Sequence, residues 1–384
     1  MKKTIAFVLL LISFAAQAQT TSVTTGAART KDYLPLLQGK RVALLVNQTA
    51  TIGQTHLVDS LLKLKVKITK IFSPEHGFRG NADAGEKVGD SKDAATGLPI
   101  VSLYGKHRKA DAADLKDVDV LIFDIQDVGT RFYTYISSLQ ELMESAADNN
   151  KLLIVLDRPN PNGHYVDGPV LDTAFRSFVG MQPIPVVHGM TVGEYAQMLN
   201  GEGWLNNGQR CELKVITCTG YTHNTMYKLP VKPSPNLPNM QSIYLYPGTC
   251  FFEGTPLSLG RGTDKPFQVY GHPDLPKNLY QFTPRSVPGA KNPPLLNKLC
   301  YGYDLSAVKP AAKLDLQPVL KAYQLFPKKD QFFTKFFNTL AGNSALQAQI
   351  KAGKSEAEIR KSWEPALSKF KSIRKKYLLY KDFE

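Results

Sequence analysis

Ser73-Pro74-Glu75-His76-Gly77-Phe78-Arg79-Gly80 brings a carboxyl, an imidazole and a guanidinium within five positions of one another. The segment follows Val66–Phe72, a run whose apolar positions read as a β-strand. Two further apolar runs empty into polar clusters in the same way, Asp124-Ile125-Gln126-Asp127 and Asp157-Arg158-Pro159-Asn160. His188 follows Ile184–Val187 in a fourth such place. In an open α/β sheet the ligand crevice lies beyond the carboxyl ends of the strands. Acidic groups converging there suit general acid–base chemistry, one carboxyl giving a proton and another assisting.

Glu75 is the first candidate for the proton donor, with His76 beside it. A carboxyl partly withdrawn from water holds its proton more readily, which suits an acid. Pro74 fixes its approach, and Gly77 permits a turn that a Cβ would block. The alternative is an internal Glu75–Arg79 pair that braces the loop. Asp124 and Asp127 are the candidate assisting carboxylates. Alternation puts Asp124 and Gln126 on one face while Asp127 starts the turn, where it could equally cap the following helix. Gly129–Tyr135 adds Arg131, whose planar fork suits a carboxylate, with the phenols of Tyr133 and Tyr135. Asp157 and Asn160 sit in a segment stiffened by two X-Pro bonds. Glu253, Arg261 and Asp264 lie in glycine-flanked irregular stretches, poor packing material and so candidates for ligand contact.

The elements that must position these groups alternate. Arg41–Val46, Ile68–Phe72, Pro99–Tyr104, Asp119–Phe123 and Leu152–Leu156 read as strands; Leu57–Leu64 and Ser137–Asn149 read as helices. Near-continuous apolar strands separated by helices predict a parallel sheet covered on both faces, hence a doubly wound, Rossmann-like α/β architecture with right-handed crossovers. Thr191 with Glu194 has the spacing of a capping box at the head of another helix. Pro230–Pro238, with four prolines, is too rigid for helix or central strand and reads as a linker or a loop over the site. Beyond it the style changes to Gly- and Pro-rich loops with aromatic residues and a helical tail over Ser355–Tyr380. The expected boundaries are a leader over 1–18, a Rossmann-like domain over 30–238 and a smaller α+β domain over 239–384.

Met1-Lys2-Lys3, the apolar stretch to Ala15 and Ala16-Gln17-Ala18 have the layout of a secretory signal peptide. Its apolar run is too short to anchor in a membrane, and Gln19 after the expected cut gives no lipid-attachment cysteine, so an exported, periplasmic or extracellular protein is expected. The net charge of +14 would fall to +12 with the loss of Lys2 and Lys3. For an exported chain this points to anionic envelope polymers before nucleic acid. Cys211, Cys218, Cys250 and Cys300 lack zinc-site spacing; one or two disulfides are open to them, as is a buried structural role. No glycine fingerprint, P-loop, Gly-x-Ser-x-Gly elbow or His-Glu-x-x-His motif occurs, so neither dinucleotide nor metal is expected. A hard cation on Asp124, Asp127 and Asn160 is the alternative.

Ser73–Gly80, Phe123–Tyr135, Asp157–Asn162, His188–Glu194, Pro233-Ser234-Pro235-Asn236-Leu237-Pro238, Tyr246–Thr255, Gly260–Phe267 and Ile373–Tyr380 together resemble the NamZ family, exo-β-N-acetylmuramidases of glycoside hydrolase family 171. The resemblance runs from about Arg41 to Tyr380. It implies a Rossmann-like domain, a smaller C-terminal domain and a cleft between them. It also implies release of terminal N-acetylmuramic acid from the non-reducing ends of peptidoglycan saccharides ending in N-acetylmuramyl-N-acetylglucosamine, without a cofactor. Glu75 then stands at the family's catalytic glutamate. Hydrolysis needs a second carboxylate, Asp124 or Asp127, or else attack by the substrate's own acetamido group. The lactyl carboxylate calls for a cation, with Arg79, Arg131 and Arg261 as candidates and Arg131 preferred. Gln126, Tyr133, Asp157, Asn160, His188, Asn236 and Glu253 complete the expected substrate contacts. A non-catalytic cell-wall sugar binder is the alternative.

Overall fold

A strand buried on both faces has no position for a polar side chain, and Val120–Phe123 and Leu153–Leu156 supply none. The computed structural model describes residues 22–75, 77–78 and 89–384, and in it these strands form the middle of one sheet. Among the described residues fourteen strands run in chain order as β1 Arg41–Val46, β2 Thr51–Ile52, β3 Thr55–His56, β4 Lys67–Ser73, β5 Ser91–Lys92, β6 Pro99–Ser102, β7 Val120–Asp124, β8 Leu152–Leu156, β9 Asp167–Val170, β10 Pro185–Val187, β11 Leu213–Ile216, β12 Val269–His272, β13 Tyr280–Phe282 and β14 Cys300–Asp304. The main sheet has the order β11-β8-β7-β1-β4-β6-β5. Every neighbouring pair is parallel except β5–β6. The chain starts at the centre, moves out to β4 and β6, then returns to build β7, β8 and β11 on the other side. That is the doubly wound order, with its switch point between β1 and β7.

Two cores cover the sheet. One face holds Val42, Leu44, Val120 and Ile122 beneath Tyr33, Leu37 and the helix Leu57–Lys63. The other holds Ala43, Leu45, Leu121, Phe123 and Ile125, and this core runs without a break into Tyr246, Phe251, Phe267, Phe337 and Trp363 of the C-terminal part. The C-terminal part carries the antiparallel sheet β12-β14-β13 and several helices. The expected α/β fold with a smaller second domain is therefore found.

Local signals explain the element ends. Thr191 and Glu194 form the reciprocal capping box ahead of the helix Val192–Gly201. Ser355 and Glu358 do the same for Glu356–Arg374, which ends earlier than the expected tail helix and passes into the short turn Lys375–Tyr377. The segment after it is bolted down. The Tyr380 hydroxyl donates to Asp157 Oδ2 at 2.6 Å, and Arg374 donates to both Gly189 O and Asp382. All four cysteines are buried and unpaired. No described helix is long and apolar enough to cross a membrane. The expected leader, His76 and Arg79 lie outside the described residues.

Candidate active site

Register brings the strand ends together. Ser73 pairs with Ser102 across β4 and β6, so Glu75 and Tyr104 each stand two residues beyond a matched pair. The Tyr104 hydroxyl donates to Glu75 Oε1 at 3.0 Å. Burial, reinforced by the Glu75 charge, pushes the Tyr104 phenol up to about 12, so it remains a donor at neutral pH. On the other side of the switch point, β7 ends at Asp124 opposite Val46. The chain then turns at Gly129, with φ of +78°, where a Cβ would sit 2.2 Å from Asn160 Oδ1; only glycine fits. Beyond this turn Phe132, Tyr133, Thr134 and Tyr135 reach the cavity at the head of the helix Tyr135–Asp148.

The C-terminal part closes the opposite wall. Tyr246 comes from the helix Met240–Thr249, Glu253 from the turn after it, and Arg261 and Phe267 from the following loop. The resulting pocket, about 290 Å³, is lined by Glu75, Tyr104 and Arg108 on one side and by Tyr246, Glu253 and Arg261 on the other. Rings run along it edge to face: Tyr135–Tyr133 at 5.0 Å, Tyr133–Tyr246 at 5.7 Å and Tyr246–Phe267 at 4.9 Å between centroids. Arg261 donates to Glu253 Oε1 at 2.6 Å and lies 4.9 Å over the Phe267 ring. Phe267 holds a left-handed backbone, φ +60°, which a bulky residue adopts only when its surroundings impose it. Ser234 and Leu237 of the proline-rich segment line the same pocket, and the Tyr133 hydroxyl donates to Pro233 O at 2.9 Å. That segment is thus a loop over the site. Asn236 ties it across to Gly289 O at 2.9 Å.

Of the residues expected at the site, Glu75, Tyr133, Glu253 and Arg261 line this pocket. Others do not. Asp124 is fully buried and gripped by Arg158, with Nε to Oδ1 at 2.5 Å and Nη2 to Oδ2 at 2.8 Å. It is a sealed ion pair on the far face of the sheet, with no carboxylate oxygen turned to the pocket. Arg131 corrects the expectation most sharply. Its guanidinium is buried and donates to the carbonyls of Pro169, Ile184 and Leu340, so it staples three backbone segments and has no access to a ligand carboxylate. With no anion beside it, burial pulls its pKa down to about 9.

Asp157 accepts from Tyr380, Thr191 and the Gly193 amide and anchors the C-terminus. Gln126 donates to Asp127 O and Pro159 O, and Asn160 to Met190 O, both bracing loops. Asp127 lies behind the aromatic wall. Its Oδ2 accepts from the Gly129 amide at 2.6 Å, and burial pushes its pKa up to about 7. His188 Nε2 stands 3.9 Å from Asp127 Oδ2, its pKa driven down to about 3 by burial and by Arg374 and Arg131.

Tyr104, Arg108, Phe178, Tyr246 and Phe267 line the pocket without having been singled out. Tyr104-Gly105-Lys106-His107-Arg108 is a strand end of the same kind as the other polar clusters, so two of the five carried a readable signal.

Family models described as exo-beta-N-acetylmuramidase NamZ match this chain at residues 42–241 (N-terminal) and 244–380 (C-terminal). The peptidoglycan beta-N-acetylmuramidase NamZ of Bacillus subtilis is 40% identical over 374 residues, covering 91% of this chain and 89% of that protein. Two crystal structures of DUF1343 family proteins from Bacteroides fragilis share the fold. One is 50% identical with a TM-score of 0.88, covering 94% of this chain and 100% of its own. The other is 30% identical with a TM-score of 0.80, covering 94% and 99%.

Proposed function

We propose that this chain, which belongs to the exo-beta-N-acetylmuramidase NamZ family, is an exo-acting glycoside hydrolase that removes terminal N-acetylmuramic acid from peptidoglycan saccharides. The observation that carries the reading is Glu75 on the wall of a pocket near the size of one substituted sugar, its carboxyl oriented by the Tyr104 hydroxyl. Glu75 gives its proton to the glycosidic oxygen as the bond from C1 breaks. The aromatic wall packs on the apolar face of the ring and keeps bulk water from the developing cation.

The second role falls to the substrate. Asp124 is locked to Arg158, Asp127 stands behind Tyr133 and Tyr135, and Glu253 is engaged by Arg261. Attack on C1 by the carbonyl oxygen of the sugar's own acetamido group needs no second protein carboxylate. It forms a cyclic oxazolinium as the leaving chain departs with the proton from Glu75. Water then adds at C1 and returns a proton to Glu75, and the configuration is retained. Arg108 supplies positive charge for the lactyl carboxylate, helped by the positive end of the helix Tyr135–Asp148, which begins on the pocket wall. Residues 1–18 act as an export leader, which brings the protein to its cell-wall substrate.

Purified protein incubated with an aryl N-acetyl-β-muramide and the matching glucosaminide tests the assignment. Release from the muramide alone is expected. Release from neither refutes hydrolysis, and equal release refutes selection of the lactyl group.

A further inference from the structure

A second cavity, about 680 Å³, opens beside the first, and the two share Glu253 and Arg261 as a common wall. We infer that this second cavity is where the departing glycan sits, holding the sugars on the reducing-end side of the cleaved bond while the terminal muramyl residue fills the smaller pocket. The inference rests on the hydrolase reading above.

Three observations point this way. The first is size: a pocket of about 290 Å³ accommodates the terminal unit, and the chain attached to it must leave through a neighbouring space. The adjoining volume lies well within the range of built ligand sites. The second is chemistry. Phe336 and Pro294 present apolar surface to solvent on its lining, while Lys291 and Asn292 add a cation and an amide. Pyranose rings have two apolar faces and an equator of hydroxyls, so a mixed lining of this kind complements them. Phe336 is 39% exposed although it is a large apolar side chain. It projects from the first turn of the helix Lys335–Ala341, where Thr334 fixes the backbone by accepting from the Phe336 amide. A ring held out toward solvent at a cavity wall contributes little to the core and is placed to stack on a ligand.

The third observation is mechanical. Gly289 has φ of +85°, and a Cβ there would stand 2.5 Å from Pro235 Cβ. Asn236 donates to Gly289 O at the same place. The loop walling the second cavity is therefore fastened to the proline-rich loop that covers the first. The two spaces adjoin at the Glu253–Arg261 pair, which lines both.

The test compares a short and a long substrate in the same variants. An aryl N-acetyl-β-muramide occupies the smaller pocket and barely enters the second; a peptide-free alternating tetrasaccharide with muramic acid at its non-reducing end must occupy both. Phe336→Ala and the double variant Lys291→Ala/Asn292→Ala alter exposed side chains outside the first pocket. Each is expected to raise KM for the tetrasaccharide about tenfold with kcat and aryl-muramide hydrolysis unchanged, and Phe336→Trp is expected to restore the KM. Equal effects on both substrates, or none on either, overturn the inference and leave the hydrolase reading intact. Wild-type protein that cleaves neither substrate overturns both.

Discussion

Replacing Asp124 by asparagine separates a structural carboxylate from a catalytic one. Asp124 and Arg158 are 0% and 3% exposed, joined by two charge-assisted hydrogen bonds, with Arg158 also donating to Thr51 O at 3.1 Å. Asparagine keeps the shape but leaves the guanidinium without its counter-charge in a site that water does not reach. Breaking a buried pair from one side costs about 3–5 kcal/mol. At about 2 °C per kcal/mol, near the lower end for large domains, the melting temperature falls by roughly 6–10 °C. Since no carboxylate oxygen of Asp124 faces the pocket, kcat on an aryl muramide at 25 °C is expected to stay within about twofold. Adding Arg158→Met removes the orphaned charge, and part of the lost stability should return, a coupling that a double-mutant cycle reads directly. The assay is thermal unfolding beside steady-state kinetics on the same preparations. An unchanged melting temperature with a hundredfold loss of kcat would return Asp124 to the chemistry.

Asp127 gives a pH-dependent counterpart. Its folded pKa of about 7 lies above the ordinary 3.8, so the stability tied to its protonated form is complete below about 4 and lost as pH rises through 7. Asp127→Asn has no proton to lose; relative to wild type its unfolding free energy should gain about 4 kcal/mol between pH 4 and pH 8, read by denaturant titration, and a gap independent of pH contradicts the burial argument. His188, pushed down to about 3, acts in the opposite sense below its ordinary 6.5 and is present in both proteins, so the two are compared as a difference at each pH. Arg108→Gln should reduce the preference for muramide over glucosaminide by about one to two orders of magnitude, the worth of one charge-assisted contact, while a uniform loss on both sugars argues against that role. Export predicts that protein recovered outside the cytoplasm begins at Gln19, which intact-mass measurement checks.

The strands were legible because burial on two faces leaves only apolar side chains, and Leu152–Leu156 is found where the pattern puts it. The Thr191–Glu194 capping box was legible for an equally local reason. What sequence could not supply was the side on which a strand-end side chain emerges. Asp124 shares its parity with Val120 and Ile122, whose face is covered by the N-terminal helices, whereas the pocket grows from the core of Leu121, Phe123 and Ile125. One residue of phase decides between an ion pair and a site. Arg131 misled differently: its neighbours Phe132 and Tyr133 reach the cavity, but a main-chain bond from its own amide to Val186 O turns it the other way, toward three carbonyls distant in sequence. Tyr246 and Phe267 come from the second domain, and no local pattern announces a contact closed only when two domains meet.

Turnover by Glu75→Gln decides whether Glu75 is the proton donor. Glutamine keeps the size of the side chain and an acceptor for the Tyr104 hydroxyl but has no acidic proton. On a natural muramyl saccharide kcat is expected to fall by a factor of about 10²–10⁴, while the saccharide still binds with near wild-type affinity by calorimetry. Full turnover by Glu75→Gln would contradict that role.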